Sequence, residues 1–235
     1  MYKALFIIPI PIYACHMATR KQSFAVGEYY HIYSRGVEKR IIFLDKQDHE
    51  HFLYLVYVCN TEKSIKIRDL GKHFDRGETV VDIGAYCLMP NHFHMLVKEK
   101  EENGISVYML KLLTAYSMYF NAKYKRAGRF FESTFKSSHV NNDEYLKYLY
   151  AYIHLNPAKL VDKNWKEGKR TRSEEELFKF VSEYTYSSLQ EYLGTDIGLK
   201  RKITNPKVFP GYFKRSLDHK KELFDWLSRN YNHTG

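Results

Sequence analysis

Apolar spacing that switches between a two-residue and a three-to-four-residue period, in the order strand, helix, strand, strand, helix, strand, helix, predicts an α+β fold. Three observations carry that expectation. Residues 29–34, 79–88 and 91–97 are short runs rich in aromatic and β-branched residues, as strands are. Phe52, Leu55, Val56 and Cys59, and later Ile105, Met109, Leu112, Leu113, Tyr116, Tyr119 and Phe120, recur at helical steps. Pro90-Asn91 supplies turn chemistry between the second and third strands. The split β-α-β order is that of a ferredoxin-like (RRM-like) antiparallel sheet with helices on one side, and the last helix is appended where it can cover a site on the sheet face.

The 235 residues suffice for one sizeable domain with additions, and 44% hydrophobic content is ordinary for a globular chain. Lys and Arg outnumber Asp and Glu by 37 to 27, a net charge of +10 that points to a polyanionic partner. The 21 tyrosines suit both core packing and base stacking. Cys15, Cys59 and Cys87 are odd in number and form no C-x-x-C, which argues against a disulfide framework or a zinc knuckle and fits a reducing cytoplasm.

In chain order, residues 4–12 are apolar but interrupted by Pro9 and Pro11 and too short to span a membrane, so residues 1–16 are expected to be an extension outside the fold. The main domain is expected over 17–160. Its first strand ends at Arg35-Gly36, and Asp45 or Asp48 can cap the helix that follows. Residues 63–77 are charged and poorly periodic, a loop or short helix. The helix over 104–126 ends in Lys123, Lys125 and Arg126, which complement its dipole and equally offer phosphate contacts. Gly128 stops it, and 130–140 reads as the fourth strand, flanked by Arg129 and carrying Lys136. Asn141 to Glu144 cap a helix running to Asn156, where Pro157 ends it. Residues 161–235 are expected to be a basic loop and a helical extension packed on the core. Lys159, Lys163, Lys166, Lys169, Arg170 and Arg172 either track a DNA backbone or form a solvated loop. Ser173 to Glu176 is a capping box, and Ser216 opens a helix with Leu217, Leu223, Phe224 and Leu227 as its apolar positions.

The chemistry concentrates at His92-Phe93-His94. In a strand the two imidazoles project the same way while Phe93 enters the core, which makes a two-imidazole clamp on a rigid platform. Tyr152 and Asn156, four apart, share one helical face; Asn156 can offer its carbonyl oxygen to a hard ion, or it merely ends the helix while Tyr152 packs in the core. His154 points elsewhere and reads as structural.

Met89-Pro90-Asn91-His92-Phe93-His94-Met95-Leu96-Val97, Gly128-Arg129-Phe130-Phe131-Glu132-Ser133-Thr134-Phe135-Lys136-Ser137, Asp143-Glu144-Tyr145-Leu146 and Tyr152-Ile153-His154-Leu155-Asn156-Pro157 resemble the single-tyrosine HUH transposases of the insertion-sequence type, and among them the REP-associated tyrosine transposase branch. The resemblance spans residues 26–193, with Tyr186-Ser187-Ser188 and Glu191-Tyr192-Leu193-Gly194 as its downstream landmarks. It implies that Tyr152 is a nucleophile and that His92 and His94 hold Mg²⁺ or Mn²⁺. Asn156 stands where better-known members have glutamine as third ligand. The implied substrate is single-stranded or hairpin DNA, joined through a 5′-phosphotyrosine link with no nucleotide cofactor. Arg35, Lys123, Lys125, Arg126, Arg129 and Lys136 are the candidate DNA contacts. Monomer and homodimer both remain open, and no membrane is expected. The competing functions are a non-catalytic nucleic-acid-binding module on the same sheet and a metal-dependent nuclease that uses water.

Overall fold

The computed structural model describes residues 23–70, 74–166, 169–195, 203–208 and 216–228, so the extension expected over 1–16 lies outside the described residues. The first strand, β1 (Tyr29–Arg35), puts Tyr30, Ile32 and Ser34 on one face and Tyr29, His31, Tyr33 and Arg35 on the other. Helix α1 (Lys46–Val58) starts where Asp45 accepts the Asp48 amide at 2.9 Å, so Asp45 is the cap. Strands β2 (Val81–Met89) and β3 (His92–Glu99) form a hairpin through Pro90-Asn91, with Met89 opposite His92 and Cys87 opposite His94. Helix α2 (Gly104–Lys123) has a cap the sequence does not announce: the buried Glu99 carboxylate accepts the Ile105 amide at 2.7 Å.

The fourth strand, β4, is shorter than its apolar run suggests. It covers only Lys136–Val140, whereas a strand was expected from residue 130. Phe130 and Phe131 are consecutive and both buried with Phe135 in the core beneath α2, which an alternating strand does not allow. The segment is a loop pinned by its rings, tied to β1 by the Glu132 amide donating to Arg35 O at 2.8 Å. Helix α3 (Asp143–Leu155) is capped by Asn142, which accepts the Tyr145 amide at 2.7 Å. It ends one residue before Asn156, and Asn156–Leu160 continue as a 3₁₀ turn with Pro157 at its start, where the missing N–H leaves no bond unmade.

The sheet order is β2-β3-β1-β4 with every pair antiparallel, the ferredoxin-like arrangement. One face carries Tyr30, Ile32, Phe93, Met95 and Val97 and packs on α1 and α2 through Phe52, Leu55, Met109, Leu112 and Tyr116. The other face carries Ala85, Cys87, Leu96 and Val140 and receives Leu146, Leu149 and Ile153 from α3. Helices α4 (Glu174–Glu183), α5 (Leu189–Leu193) and α6 (Ser216–Ser228) add Leu177, Val181, Leu189, Leu223 and Leu227 to this second core. The capping box at α4 forms as read, with Ser173 and Glu176 exchanging side-chain-to-amide bonds. In α6 the buried positions are His219, Leu223 and Leu227; this four-residue step turns Leu217 outward, 67% exposed.

The outer edge of β2 is covered by the chain after α4. Leu88 donates to Tyr186 O at 2.8 Å, Ser188 to Tyr86 O at 3.0 Å and Asn205 to Ile83 O at 2.8 Å. His154, fully buried, meets Ser188 Oγ at 2.7 Å and so belongs to this structural seam. No described helix is long and apolar enough to cross a membrane.

Candidate active site

The site is built from the hairpin turn upward. Pro90 O accepts the Ile42 and Phe43 amides at 2.8 and 3.3 Å, and Asn91 O accepts the Gly36 amide at 3.0 Å, so the loop after β1 clamps the turn. A Cβ at Gly36 would stand 2.5 Å from Arg40 O and 2.7 Å from Ile42 Cγ2; glycine is required for this approach. The Asn91 amide nitrogen donates to Lys39 O at 3.2 Å, which turns its oxygen to His92 Nδ1 at 2.6 Å. An amide oxygen only accepts, so the His92 proton sits on Nδ1 and the Nε2 lone pair is available.

Register places the remaining groups. Tyr33 lies opposite His94 and Lys136, and Arg35 opposite His92, so these side chains share the face on which α3 rests. His31, two positions along β1, lies diagonally across from His94 and bonds it, Nε2 to Nδ1, at 2.9 Å. The rings of His92 and His94 are 4.9 Å apart and nearly perpendicular. Tyr152 descends from α3 with its ring centre 5.3 Å from that of His94 and 5.9 Å from that of His31.

Burial controls the charges here. It pushes His31 and His92 down to about 4, with the positive charges of Arg35 and Lys159 adding to the effect on His92. Burial also holds His94 well below the usual histidine value, reinforced by His31, His92 and two lysines. All three imidazoles are therefore neutral at neutral pH. The Tyr152 phenol is raised by burial and pulled back by the adjacent Asn156 amide, so the resting hydroxyl keeps its proton.

Three buried polar atoms on this face lack a well-formed hydrogen bond. His94 Nε2 and both amide atoms of Asn156 are buried without a hydrogen bond, although Asn156 is fully buried. Unpaired amides at such depth are uncommon, because each costs about 1–3 kcal/mol. Among the described residues no three His, Cys, Asp or Glu side chains converge on one ion position. A donor set drawn from two imidazoles and an amide oxygen fits the orphaned atoms, and suits a hard or borderline divalent ion that completes its shell with water and phosphate.

The basic residues divide. Arg35 and Lys136 are exposed on the site face. Lys123 is bonded to Asp45 and Asp48 at 2.7 and 2.8 Å on the opposite layer, and Arg126 lies 5.9 Å over the Phe120 ring. Lys125, in a left-handed conformation, and the exposed Arg129 follow α2 on that layer. From the run after Pro157, Lys166 Nζ sits 4.1 Å from the Tyr152 ring centre and Lys159 Nζ 5.9 Å, while Arg170 pairs with Glu174 at 3.2 Å. Burial lowers Lys166 to about 7, with Lys159 adding repulsion.

Sequence reading missed His31 and the orienting role of Asn91, and read Lys166 only as one of a basic run, without its place over Tyr152. The two-residue period puts His31 with Tyr33 and Arg35, but only the β1–β3 register reveals which face that is.

No curated protein matches the chain. A solved structure of the REP-associated tyrosine transposase bound to a REP hairpin is similar with a TM-score of 0.47 and 15% identity, over 83% of this chain and 98% of that one. The model of the family described as "Transposase IS200 like" matches residues 25–156, a stretch that contains His92, His94, Tyr152 and Asn156. With more than half of its length matched, the chain belongs to the IS200-like transposase family.

Proposed function

We propose that this transposase cuts and rejoins single-stranded or hairpin DNA, with Tyr152 as nucleophile and with His92, His94 and Asn156 holding Mg²⁺ or Mn²⁺. The observation that supports it most is the convergence on one sheet face of two neutral imidazoles, a fully buried amide without a well-formed hydrogen bond and a tyrosine hydroxyl beside that amide on the same helical face. A binding module needs none of these groups.

The residues divide the work. The Tyr152 hydroxyl gives up its proton as its oxygen attacks phosphorus; the P–O3′ bond breaks, and the departing oxygen takes a proton to leave a free 3′-hydroxyl. The protein is then joined to the 5′ side, and attack by another 3′-hydroxyl reverses the step and releases Tyr152. One phosphodiester replaces another, so no nucleotide is consumed. Lys166, over the ring, favours the phenolate as the proton leaves. Arg35 and Lys136 present positive charge to the backbone on the same face. An ion held by His92, His94 and Asn156 would supply positive charge against the negative charge that develops on the phosphate oxygens.

The test is incubation with labelled hairpin and linear oligonucleotides and Mn²⁺. Wild-type protein should form a covalent adduct that maps to Tyr152, and Tyr152→Phe, which keeps the ring and its packing, should form none. Cleavage without an adduct would assign a water-using nuclease, and binding without cleavage a recognition module.

A further inference from the structure

Two neutral imidazoles share one bond between His31 Nε2 and His94 Nδ1, 2.9 Å long, and only one of the two nitrogens can carry its proton. The choice decides what His94 presents to the site. If His31 is the donor, His94 must carry its own proton on Nε2, and that N–H is buried without an acceptor. If His94 Nδ1–H is the donor, its Nε2 is a bare lone pair. The compensating proton moves to His31 Nδ1, which is not among the buried atoms left without a partner. The second arrangement avoids an orphaned donor and is the one that permits ligation.

We infer that His31 is a positioning residue for the metal pair: by accepting the Nδ1 proton of His94 it fixes that ring's tautomer and aims its Nε2 lone pair into the site. This rests on the proposed assignment of His92 and His94 as ligands. It makes the pair symmetrical in design, because Asn91 does for His92 what His31 does for His94. His31 is held for the task. Its ring is 8% exposed and packed against Tyr33 at 5.0 Å and His94 at 5.0 Å, with the Tyr152 edge at 5.9 Å.

The experiment is Mn²⁺ titration of DNA-free protein, followed by electron paramagnetic resonance, for wild type, His94→Ala, His31→Phe and His31→Gln. A long-range ¹H–¹⁵N spectrum of the metal-free wild type accompanies it. Phenylalanine keeps the ring and removes the acceptor; glutamine restores an acceptor oxygen. Wild type should bind Mn²⁺ at a site lost in His94→Ala. His31→Phe should bind it about 10- to 100-fold more weakly, with His31→Gln between the two. The spectrum should show His94 protonated on Nδ1 and His31 also on Nδ1. Unchanged Mn²⁺ affinity in a folded His31→Phe protein, or a His94 signal protonated on Nε2, would overturn the inference while leaving the metal pair intact. Should His31→Phe fail to fold, the wild-type spectrum alone decides. Absence of a His94-dependent Mn²⁺ site in wild type overturns the ligand assignment itself, and the inference with it.

Discussion

Asp48 and Asn156 are both fully buried polar side chains, one on each face of the same sheet, and their surroundings are opposite. Asp48 accepts from the Leu44 amide, the Tyr119 and Tyr124 hydroxyls and the Lys123 ammonium, all between 2.8 and 3.0 Å. Asn156 makes no well-formed hydrogen bond on either amide atom and meets only the Tyr152 hydroxyl loosely. The sheet thus separates two uses of buried polarity. Under α1 and α2 a polar cluster is saturated and locks helix to helix; under α3 bonding capacity is left unspent where a ligand can take it up.

The largest break in this contrast is expected at Asp48. Asp48→Ala leaves Lys123 with Asp45 alone and removes the buried acceptor of the Tyr119 and Tyr124 hydroxyls, and should lower unfolding free energy in urea by about 1–3 kcal/mol, the range for leaving buried donors unsatisfied. Acid should then separate the two faces. His31 and His92 have folded-state values near 4, below their ordinary 6.5. Their contribution is fully present above pH 6.5 and is lost as pH falls from there towards 4, because the unfolded chain takes up protons first. Asp48 is held below its ordinary 3.8, although burial opposes the Lys123 bond, so its contribution persists until pH falls below that value. Both tryptophans, Trp165 and Trp226, lie on the histidine side. Their emission should change between pH 6.5 and 4 while the ellipticity of α1 and α2 persists to lower pH; coincident transitions would show that the faces do not yield separately.

A smaller effect is expected at Asn156. Asn156→Leu removes only the loose contact with the Tyr152 hydroxyl and relieves a desolvated amide, so its melting temperature should match or exceed that of wild type while Mn²⁺ affinity falls. A loss of stability like that of Asp48→Ala would show that Asn156 is structural after all.

What the sequence made legible was local. A two-residue period placed His92 and His94 on one face, a four-residue step aligned Tyr152 with Asn156, and caps at Asp45, Asn142 and Ser173 sit one turn from the amides they satisfy. Long-range partners were not legible. Lys123 at a helix end reads as a dipole or phosphate contact, and only the packing of α1 on α2 brings it to Asp48, 75 positions away. The run at Phe130 to Phe135 has strand composition, but three rings share one core and the backbone follows them. His31 and Lys166 acquire their neighbours through strand register and through the loop after Pro157, neither of which leaves a periodic trace.

The finest distinction between the faces concerns DNA. If the substrate lies across the histidine face, Arg35 and Lys136 meet phosphates there, whereas Lys123 is already paired with carboxylates. Each phosphate contact contributes about 0.7 to the slope of log affinity against log salt for a single strand. Arg35→Gln and Lys136→Gln should therefore each flatten that slope by about 0.7 and together by about twice as much, at nearly unchanged melting temperature. Lys125→Gln, on the opposite layer, should leave the slope unaltered. Lys123→Gln should weaken folding more than binding. Fluorescence anisotropy with a labelled single strand, titrated at several salt concentrations, measures each slope. A flattening produced by Lys125→Gln and not by Arg35→Gln would place the DNA against the α1 and α2 layer, and would leave the histidine face without its substrate.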